Sequence, residues 1–325
     1  MAYAPAGNTT LTPSLTHLAT VYYERKALDT LKQRFMFREA TVPDVMPLRS
    51  GKTIQFYRYT LLAANTTPAP EGTVGTSLPL TTTTISATVS EYADFITIST
   101  LLKETAIDPI TENAADMLGY RGGLSADTIT RTEFDSNVAS VALNTLGATF
   151  TANDLRRSVM LLEGANVRAQ KGNDFICIMH PYVLYDLMSD NTAGGFIDVL
   201  KYANPDRLVD GDNSMSGEAG KMAGCRILKS TNVGSTGSAP STMYYTYIVG
   251  KGAVGAIDLS GVGPTDVMDP ATQAFKVNVI QGGPQIADPE GMIGSAVSYR
   301  FVFVAQTLDS VTYRYRIVYS DSSII

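Results

Sequence analysis

The pattern of apolar and polar positions is clearest near the beginning of the chain, where it predicts extended strands. Lys52–Thr60 is dense in β-branched and aromatic residues, and Ile85–Ser90 alternates apolar and polar residues with a period of two. Phe95–Ile98 continues as strand. Between the first two stretches lies Asn65–Pro79, whose prolines and glycines disfavour a sheet. The pattern therefore predicts two long strands joined by a loop.

A ribbon of only two strands is marginally stable in water. Its apolar side must be covered, either by the rest of this chain or by another copy of the chain. The function depends on which of these two covers it.

Helical spacing of apolar residues occurs before and after the ribbon. Leu28, Leu31 and Phe35 share one face of an amphipathic helix predicted over Leu15–Phe37. This helix is isolated near one end of the chain, so it must dock on another surface.

A longer helix is predicted over Asp108–Leu146, because Asp108-Pro109 is a typical helix start and Gly147 a typical end. Three glycines interrupt the pattern, and we expect a kink or a break there, since each costs about 1 kcal/mol relative to alanine. The three are Gly119, Gly122 and Gly123.

The second half of the chain predicts a compact α/β unit followed by strands. Thr151 with Asp154 three residues later predicts a capped helix, and the apolar run Phe175–Met179 predicts a strand buried on both faces. A helix is predicted over Pro181–Met188. Further strands are predicted at Cys225–Leu228, Met243–Val249, Phe275–Ile280, Ala296–Ala305 and Val311–Tyr319.

Composition narrows the class of protein. The chain has 325 residues, 44% hydrophobic and 17% charged, which is typical of a globular protein with an ample core. No apolar run approaches the roughly 18 residues of a membrane span, and we expect no signal peptide at the N-terminus. The two cysteines, Cys177 and Cys225, are interpreted as buried thiols of a chain assembled in a reducing cytoplasm.

Charge is unevenly distributed. The net charge is −6, yet the first sixty residues hold eight Lys and Arg against four acidic residues. A mildly basic arm therefore precedes an acidic body, and its charges are either a solvated helix face or a surface near a polyanion. The candidate inward-facing basic residues are Arg25, Lys26, Lys32, Arg34 and Arg38.

Patterns for catalysis are sparse. His180 follows the predicted buried strand and is interpreted as a helix cap or a core residue, and no G-x-S-x-G nucleophile turn occurs. The acidic stretch Asp210–Asn213 departs from the calcium-loop pattern, and Gly250–Gly255 departs from the phosphate-loop and dinucleotide patterns. We therefore predict no catalytic residue, no cofactor and no metal site.

Taken in order, the arm, ribbon, long helix, α/β unit and β-rich end resemble the major capsid proteins of tailed phages with the Hong Kong ninety-seven fold. The segments Pro70–Val74 and Val89–Ser99 resemble more particularly the N-four-type podophage branch. The resemblance implies an α+β fold with an N-terminal arm (1–48), an extended loop with base strands (49–104), a spine helix (105–150), an axial domain (151–260) and C-terminal strands returning to the peripheral domain (261–325).

The resemblance implies that copies of the chain form hexamers and pentamers of an icosahedral shell around double-stranded DNA, assembled in the host bacterial cytoplasm. Scaffold, portal and decoration proteins are possible partners, contact with DNA is weak, and no membrane is involved. The extended loop would lie over a neighbour. Its predicted contact residues are Pro68, Pro70, Glu71, Gly72, Val74 and Pro79.

Some members of this family are cross-linked through a loop lysine. Here no lysine lies between Lys52 and Lys103, so burial, hydrogen bonds or a decoration protein would hold the shell. Three alternatives stay open from the sequence: a bacterial nanocompartment shell of the same fold, a phage tail or fibre protein, and an enzyme.

Overall fold

The computed structural model describes residues 36–46, 51–60, 62–68, 71–72, 77–143, 149–170, 172–190, 218–237, 242–259, 275–281, 293–309 and 312–321. Its helices are a short 3-10 helix (Phe37–Ala40), α1 (Thr100–Thr105), α2 (Ile110–Ser136), α3 (Val138–Val141), α4 (Ala152–Gly164) and α5 (Pro181–Ser189). Residues 15–35 of the N-terminal helix predicted over Leu15–Phe37 lie outside the described residues.

The strands fall into two large sheets and one ribbon. They are β1 (Val42–Met46), β2 (Thr53–Tyr59), β3 (Thr82–Thr88), β4 (Ser90–Ser99), β5 (Ala142–Leu143), β6 (Phe175–Met179), β7 (Glu218–Met222), β8 (Cys225–Lys229), β9 (Ser235–Thr236), β10 (Met243–Val249), β11 (Val254–Leu259), β12 (Phe275–Gln281), β13 (Ile293–Thr307) and β14 (Tyr315–Asp321). The mixture of helices and sheets is the predicted α+β class.

The first large sheet, which we call the peripheral sheet, contains β1, β4, β11, β12 and β13 and is organised around β13. This strand pairs antiparallel with β4, β12 and β11, and β1 adds to β11 in parallel. The second large sheet, which we call the axial sheet, has the order β5-β14-β10-β6-β8-β7, with β9 paired to β10. Strands β2 and β3 form the separate ribbon.

Helix α2 is the spine of the subunit, with 27 residues and a length of about 40 Å at 1.5 Å per residue. It is continuous through Gly119, Gly122 and Gly123, so the predicted break is wrong. All three glycines are buried, as are Ala115 and Ala126 on the same helix. Small side chains let the sheet approach the helix closely, and this packing offsets the low helix propensity of glycine.

The end of α2 also differs from the prediction. The helix stops at Ser136 and not near Gly147. After the single turn of α3 the chain becomes extended, because Ala142 and Leu143 pair in parallel with β14. A long-range strand pairing therefore ends the helical region early.

The axial sheet is buried on both faces, as predicted for β6. Side chains of a strand point alternately to opposite faces, and Ile176 and Ile178 belong to the core that contains α2. Phe175, Cys177 and Met179 belong to a second core beneath α4 and α5. The predicted capping box at the start of α4 is also confirmed, with Thr151 N 3.1 Å from Asp154 Oδ2.

The two sheets meet at an aromatic junction near the end of α2. Phe37, Phe134 and Tyr247 pack together with ring centroids 5.1–6.1 Å apart. Tyr315 meets Phe134 edge-on at 4.9 Å and donates to its carbonyl oxygen at 3.2 Å. Aromatic pairs in this geometry stabilise a core beyond the area that they bury.

A buried polar network lies beside this junction. The Asp127 carboxylate accepts from the Phe37 N–H at 2.8 Å and from the Asn232 amide at 2.9 Å. The Asn232 carbonyl in turn accepts from Arg131 at 3.0 Å. Segment 36–46 is therefore tied to the spine helix and to the axial sheet at once.

Two predicted boundaries need correction. Strand β11 lies before residue 260 but belongs to the peripheral sheet, where it pairs with β13. Strand β14 belongs to the axial sheet, where all of it pairs with β10, so the C-terminal strands do not all return to the peripheral domain. The reason for the second is that Tyr315 and Ile317 fill the core beside Phe134.

Candidate assembly interface

The ribbon is a regular antiparallel pair over seven residues of each strand. Its register runs from Thr53 opposite Thr88 to Tyr59 opposite Thr82, and Thr60 N donates to Thr81 O at 3.0 Å just beyond it. The paired part is about 23 Å long at 3.3 Å per residue. The described residues between 62 and 80 form neither helix nor strand, in agreement with the predicted loop.

The two faces of the ribbon have different environments. On the inner face, Ile54, Phe56 and Ala87 pack against Met46 and Val302 of the peripheral sheet. The side chains of the opposite face are exposed, and they include Thr53, Gln55, Tyr57 and Tyr59. The described part of the chain therefore covers the inner face of the ribbon and leaves its outer face uncovered.

One ion pair holds the far end of the paired region. Arg58 Nη1 binds Asp309 Oδ1, and the Asp309 side chain is 2% exposed whereas that of Arg58 is 33% exposed. Asp309 also accepts from Thr312 N at 3.0 Å and from Arg314 Nε at 3.2 Å. The buried carboxylate is therefore bonded to Thr312 and Arg314 of its own segment as well as to Arg58 of the ribbon.

Beyond the paired region, the loop exposes large apolar side chains. Leu78 and Leu80 are each 67% exposed, and Leu62 is also exposed. The predicted contact residues Pro68, Glu71, Gly72 and Pro79 are exposed in the structure, whereas Pro70 and Val74 lie outside the described residues. The sequence prediction singled out the prolines and glycines but not the leucines beside them.

The peripheral sheet also has an uncovered area, which we call the bare sheet face: Ala93, Phe95 and Thr97 on β4. Phe95 is 69% exposed. The opposite face of the same strand carries Tyr92 and Ile98, which contribute to the core under α2. This surface was not predicted from the sequence. Phe95 and Ile98 are three positions apart on β4, so the alternation of a strand places their side chains on opposite faces.

A second uncovered area follows directly and is called the α1 corner: Leu101, Leu102 and Ile107. Helix α1 has no buried residue, and Leu101 is 73% exposed. Contiguous exposed apolar surface of this kind marks a site of interaction with another molecule.

The predicted basic arm is described only at Arg38. Its guanidinium donates two hydrogen bonds to the Asp258 carboxylate, and the one from Nη1 to Oδ1 is 3.2 Å long. The guanidinium also lies over the Phe303 ring. Arg38 therefore departs from the prediction of an inward-facing cation, because a buried charge is held by a partner inside the subunit. Arg25, Lys26, Lys32 and Arg34 lie outside the described residues.

The two cysteines and His180, which could in principle carry chemistry, have structural roles. Both cysteines are free and buried, and burial raises the pKa of each thiol. His180 caps α5, as interpreted from the sequence: its Nδ1 accepts from Tyr182 N at 3.2 Å, its ring stacks on Tyr244, and burial lowers its pKa.

The described ranges contain no cluster of three or more His, Cys, Asp or Glu suited to a metal ion. None of their helices is both long and apolar enough to cross a bilayer.

No protein-family model and no curated protein matches the sequence. Solved structures are similar in fold. The capsid of cyanophage P-SCSP1u is 14% identical, with a TM-score of 0.63 and 89% of each chain covered. The capsid of Ralstonia phage GP4 is 10% identical, with a TM-score of 0.63 and coverage of 90% of this chain and 91% of that chain.

The capsid of cyanophage Pam1 is 12% identical, with a TM-score of 0.60, and the alignment covers 99% of this chain and 97% of that one. At these identities the likeness establishes the fold, and the podophage branch stays a prediction. The chain therefore has the fold of these phage capsid proteins, the Hong Kong ninety-seven fold.

Proposed function

We propose that this protein is the major capsid protein of a tailed phage. Copies of the chain assemble into hexamers and pentamers, which close an icosahedral shell around double-stranded DNA. The observation that carries the proposal is the match to phage capsids over about nine-tenths of both chains at once. The proposed role is structural and not catalytic.

The uncovered surfaces support a role in assembly. The ribbon loop presents Leu78 and Leu80, and the bare sheet face and the α1 corner present Phe95 and Leu101. We propose that the loop of one subunit covers these surfaces on its neighbour. Specific interfaces bury on the order of 1,000 Å² or more. A subunit in a closed shell makes several such contacts together, so even weak contacts give a stable particle.

The remaining parts of the proposal concern DNA and place of assembly. An acidic chain with a net charge of −6 is suited to enclose DNA without binding it tightly. The basic residues Arg25, Lys26, Lys32 and Arg34 would supply weak contact with DNA. Unpaired, buried cysteines suit assembly in the reducing cytoplasm of the host. Scaffold, portal and decoration proteins are the further partners that we propose.

Electron microscopy of the full chain expressed alone tests the proposal. Two variants accompany it: a deletion of Asn65–Pro79, and a replacement of the same residues by Gly and Ser at unchanged length. We expect closed shells from the full chain and only capsomers from both variants. Circular dichroism of each variant checks that the subunit itself remains folded.

A negative result with the chain expressed alone requires one further experiment before it contradicts the proposal. If the full chain yields small oligomers alone, it is expressed again with its neighbouring structural genes. Failure to form shells there as well would contradict the proposal. Nuclease-protected DNA in particles made with the packaging genes separates a phage head from a compartment that encloses a protein cargo.

A further inference from the structure

The ribbon is attached to its own subunit at two places. Near its base, Ile54 and Phe56 pack on the apolar cluster around Met46 and Val302. Four residues beyond Ile54, Arg58 binds Asp309. Along the strand, Arg58 is about 7 Å from Phe56 and about 13 Å from Ile54, at roughly 3.3 Å per residue. Two separated points fix a direction, whereas the base alone would leave the ribbon free to swing.

The partners of Asp309 make this second attachment reversible. Removing one partner of a buried ion pair is ordinarily costly, because a buried charge is left uncompensated. Here Arg314 Nε and Thr312 N remain bonded to the carboxylate when Arg58 departs. Arg58 itself is one-third exposed, so water can take over its solvation. Release therefore leaves neither charge stranded.

We propose that Arg58 and Asp309 form a releasable strap that aims the ribbon before assembly, so that residues 60–81 reach the neighbouring subunit in one direction. This inference rests on the proposed shell function and names the residue that prepares its interface. Holding a binding segment in place beforehand lowers the ordering cost of association. Arg58 is thus a positioning residue, since it acts through its contact with Asp309 of its own subunit.

The strap is tested with Arg58→Met, which keeps a long side chain and removes the charge. Arg157→Met is the matched control, because Arg157 is exposed on α4, away from the ribbon. Hydrogen exchange is measured on full-length capsomers before shell closure. In Arg58→Met we expect amides near Tyr59 and Thr82 to exchange roughly tenfold faster, while those near Ile54 keep their rates.

Assembly kinetics provide the second readout. We expect Arg58→Met to close shells roughly three- to tenfold more slowly than the wild type, and Arg157→Met to match the wild type. Arg58→Lys, which retains the charge, should recover part of the rate. Raising the salt from about 0.1 M to about 1 M should slow the wild type toward the rate of Arg58→Met, because a partly exposed ion pair is screened.

Three outcomes would overturn the strap. Unchanged ribbon exchange in Arg58→Met would show that the ion pair does not hold the ribbon. Faster exchange with unchanged assembly would show that its direction does not matter. Slower assembly without faster exchange would place Arg58 in the interface itself and also reject the inference. A wild-type chain that makes no shells contradicts the proposed function, independently of the exchange data.

Discussion

At the junction of the two sheets, Phe37, Phe134 and Tyr247 are completely buried, whereas the ribbon leaves Tyr57 and Tyr59 more than half exposed. The aromatic residues of the junction have partners within the subunit. Tyr57 and Tyr59, on the outer face of the ribbon, belong to none of the hydrophobic clusters formed by the described residues. The difference indicates which surfaces a subunit completes by folding and which it leaves for neighbouring copies to cover.

The polar groups of the two regions differ in the same way. Beside the junction, Asp127 is bonded to a backbone N–H and to Asn232 in a buried network. On the ribbon, Arg58 holds Asp309 through a partly exposed contact. Buried networks make one arrangement rigid, whereas a partly exposed ion pair can exchange its exposed partner for water. The junction is suited to permanence and the ribbon to rearrangement during assembly.

The largest expected contrast comes from one substitution in each region. Phe134→Ala should lower the free energy of unfolding of the subunit by about 3–5 kcal/mol, because it opens a cavity in the core. Phe95→Ala, on the bare sheet face, should change it by less than about 0.5 kcal/mol and instead weaken shells. Urea unfolding of unassembled subunits measures both. Equal losses would show that the bare sheet face is part of the subunit core.

The buried carboxylate of the junction gives the next effect. Burial raises the pKa of Asp127 from 3.8 to about 6, although Asn232 and the Phe37 N–H favour its charged form. The proton is therefore bound more tightly in the folded subunit than in the unfolded chain. This contribution to stability is complete below pH 3.8 and is lost as the pH rises through about 6.

The loss amounts to about 3 kcal/mol at 1.36 kcal/mol per pKa unit. Urea midpoints of unassembled subunits, measured between about pH 4 and pH 7, should fall accordingly. Arg131 is the cation that opposes this shift. Asp127→Asn should remove this part of the pH dependence, and an unchanged slope would show that Asp127 is not its source.

A smaller effect is expected from one hydroxyl group. Tyr247 donates to Asp135 at 2.6 Å and accepts from Gly234 N at 3.0 Å. Tyr247→Phe should destabilise the subunit by about 1–3 kcal/mol, because the half-buried Asp135 and the buried Gly234 N–H each lose a bond. Tyr59→Phe, on the exposed face of the ribbon, is the control and should be neutral. Thermal unfolding of the two variants side by side tests the difference.

The smallest effect on the subunit is expected at the loop. Leu80→Ser should leave the free energy of unfolding of the subunit within about 0.5 kcal/mol of the wild type. It should nevertheless lower the urea concentration at which assembled shells dissociate. Met160→Ser on α4 is the control, since Met160 is as exposed as Leu80 but lies outside the ribbon. The same loss of shell stability in both would remove any special role for the loop.

Local patterns in the sequence predicted much of the fold. The apolar run Phe175–Met179 is fully buried, and Thr151 with Asp154 forms the capping box of α4. Each strand of the ribbon is extended as its residues predict. Each of these features is set by residues within a few positions of one another, so the information needed to predict them lies within a short window.

The candidate interface was only partly predictable. Prolines and glycines marked the loop, because their backbone preferences are local. Phe95 and Leu101 gave no comparable signal, since an apolar residue in a strand or helix is ordinarily assigned to the core. Whether such a side chain is covered depends on which elements pack above it, and that is a property of the assembled fold.

The α+β class, the order of most elements and the ribbon with its irregular loop follow from local patterns along the chain. Long-range packing explains why α2 continues through three glycines and why β14 joins the axial sheet. It also paired Arg38 with Asp258 and Arg58 with Asp309, across 220 and 251 positions of the chain. Contacts over such distances depend on where folding places each segment, because either arginine alone has many acidic residues that it could meet.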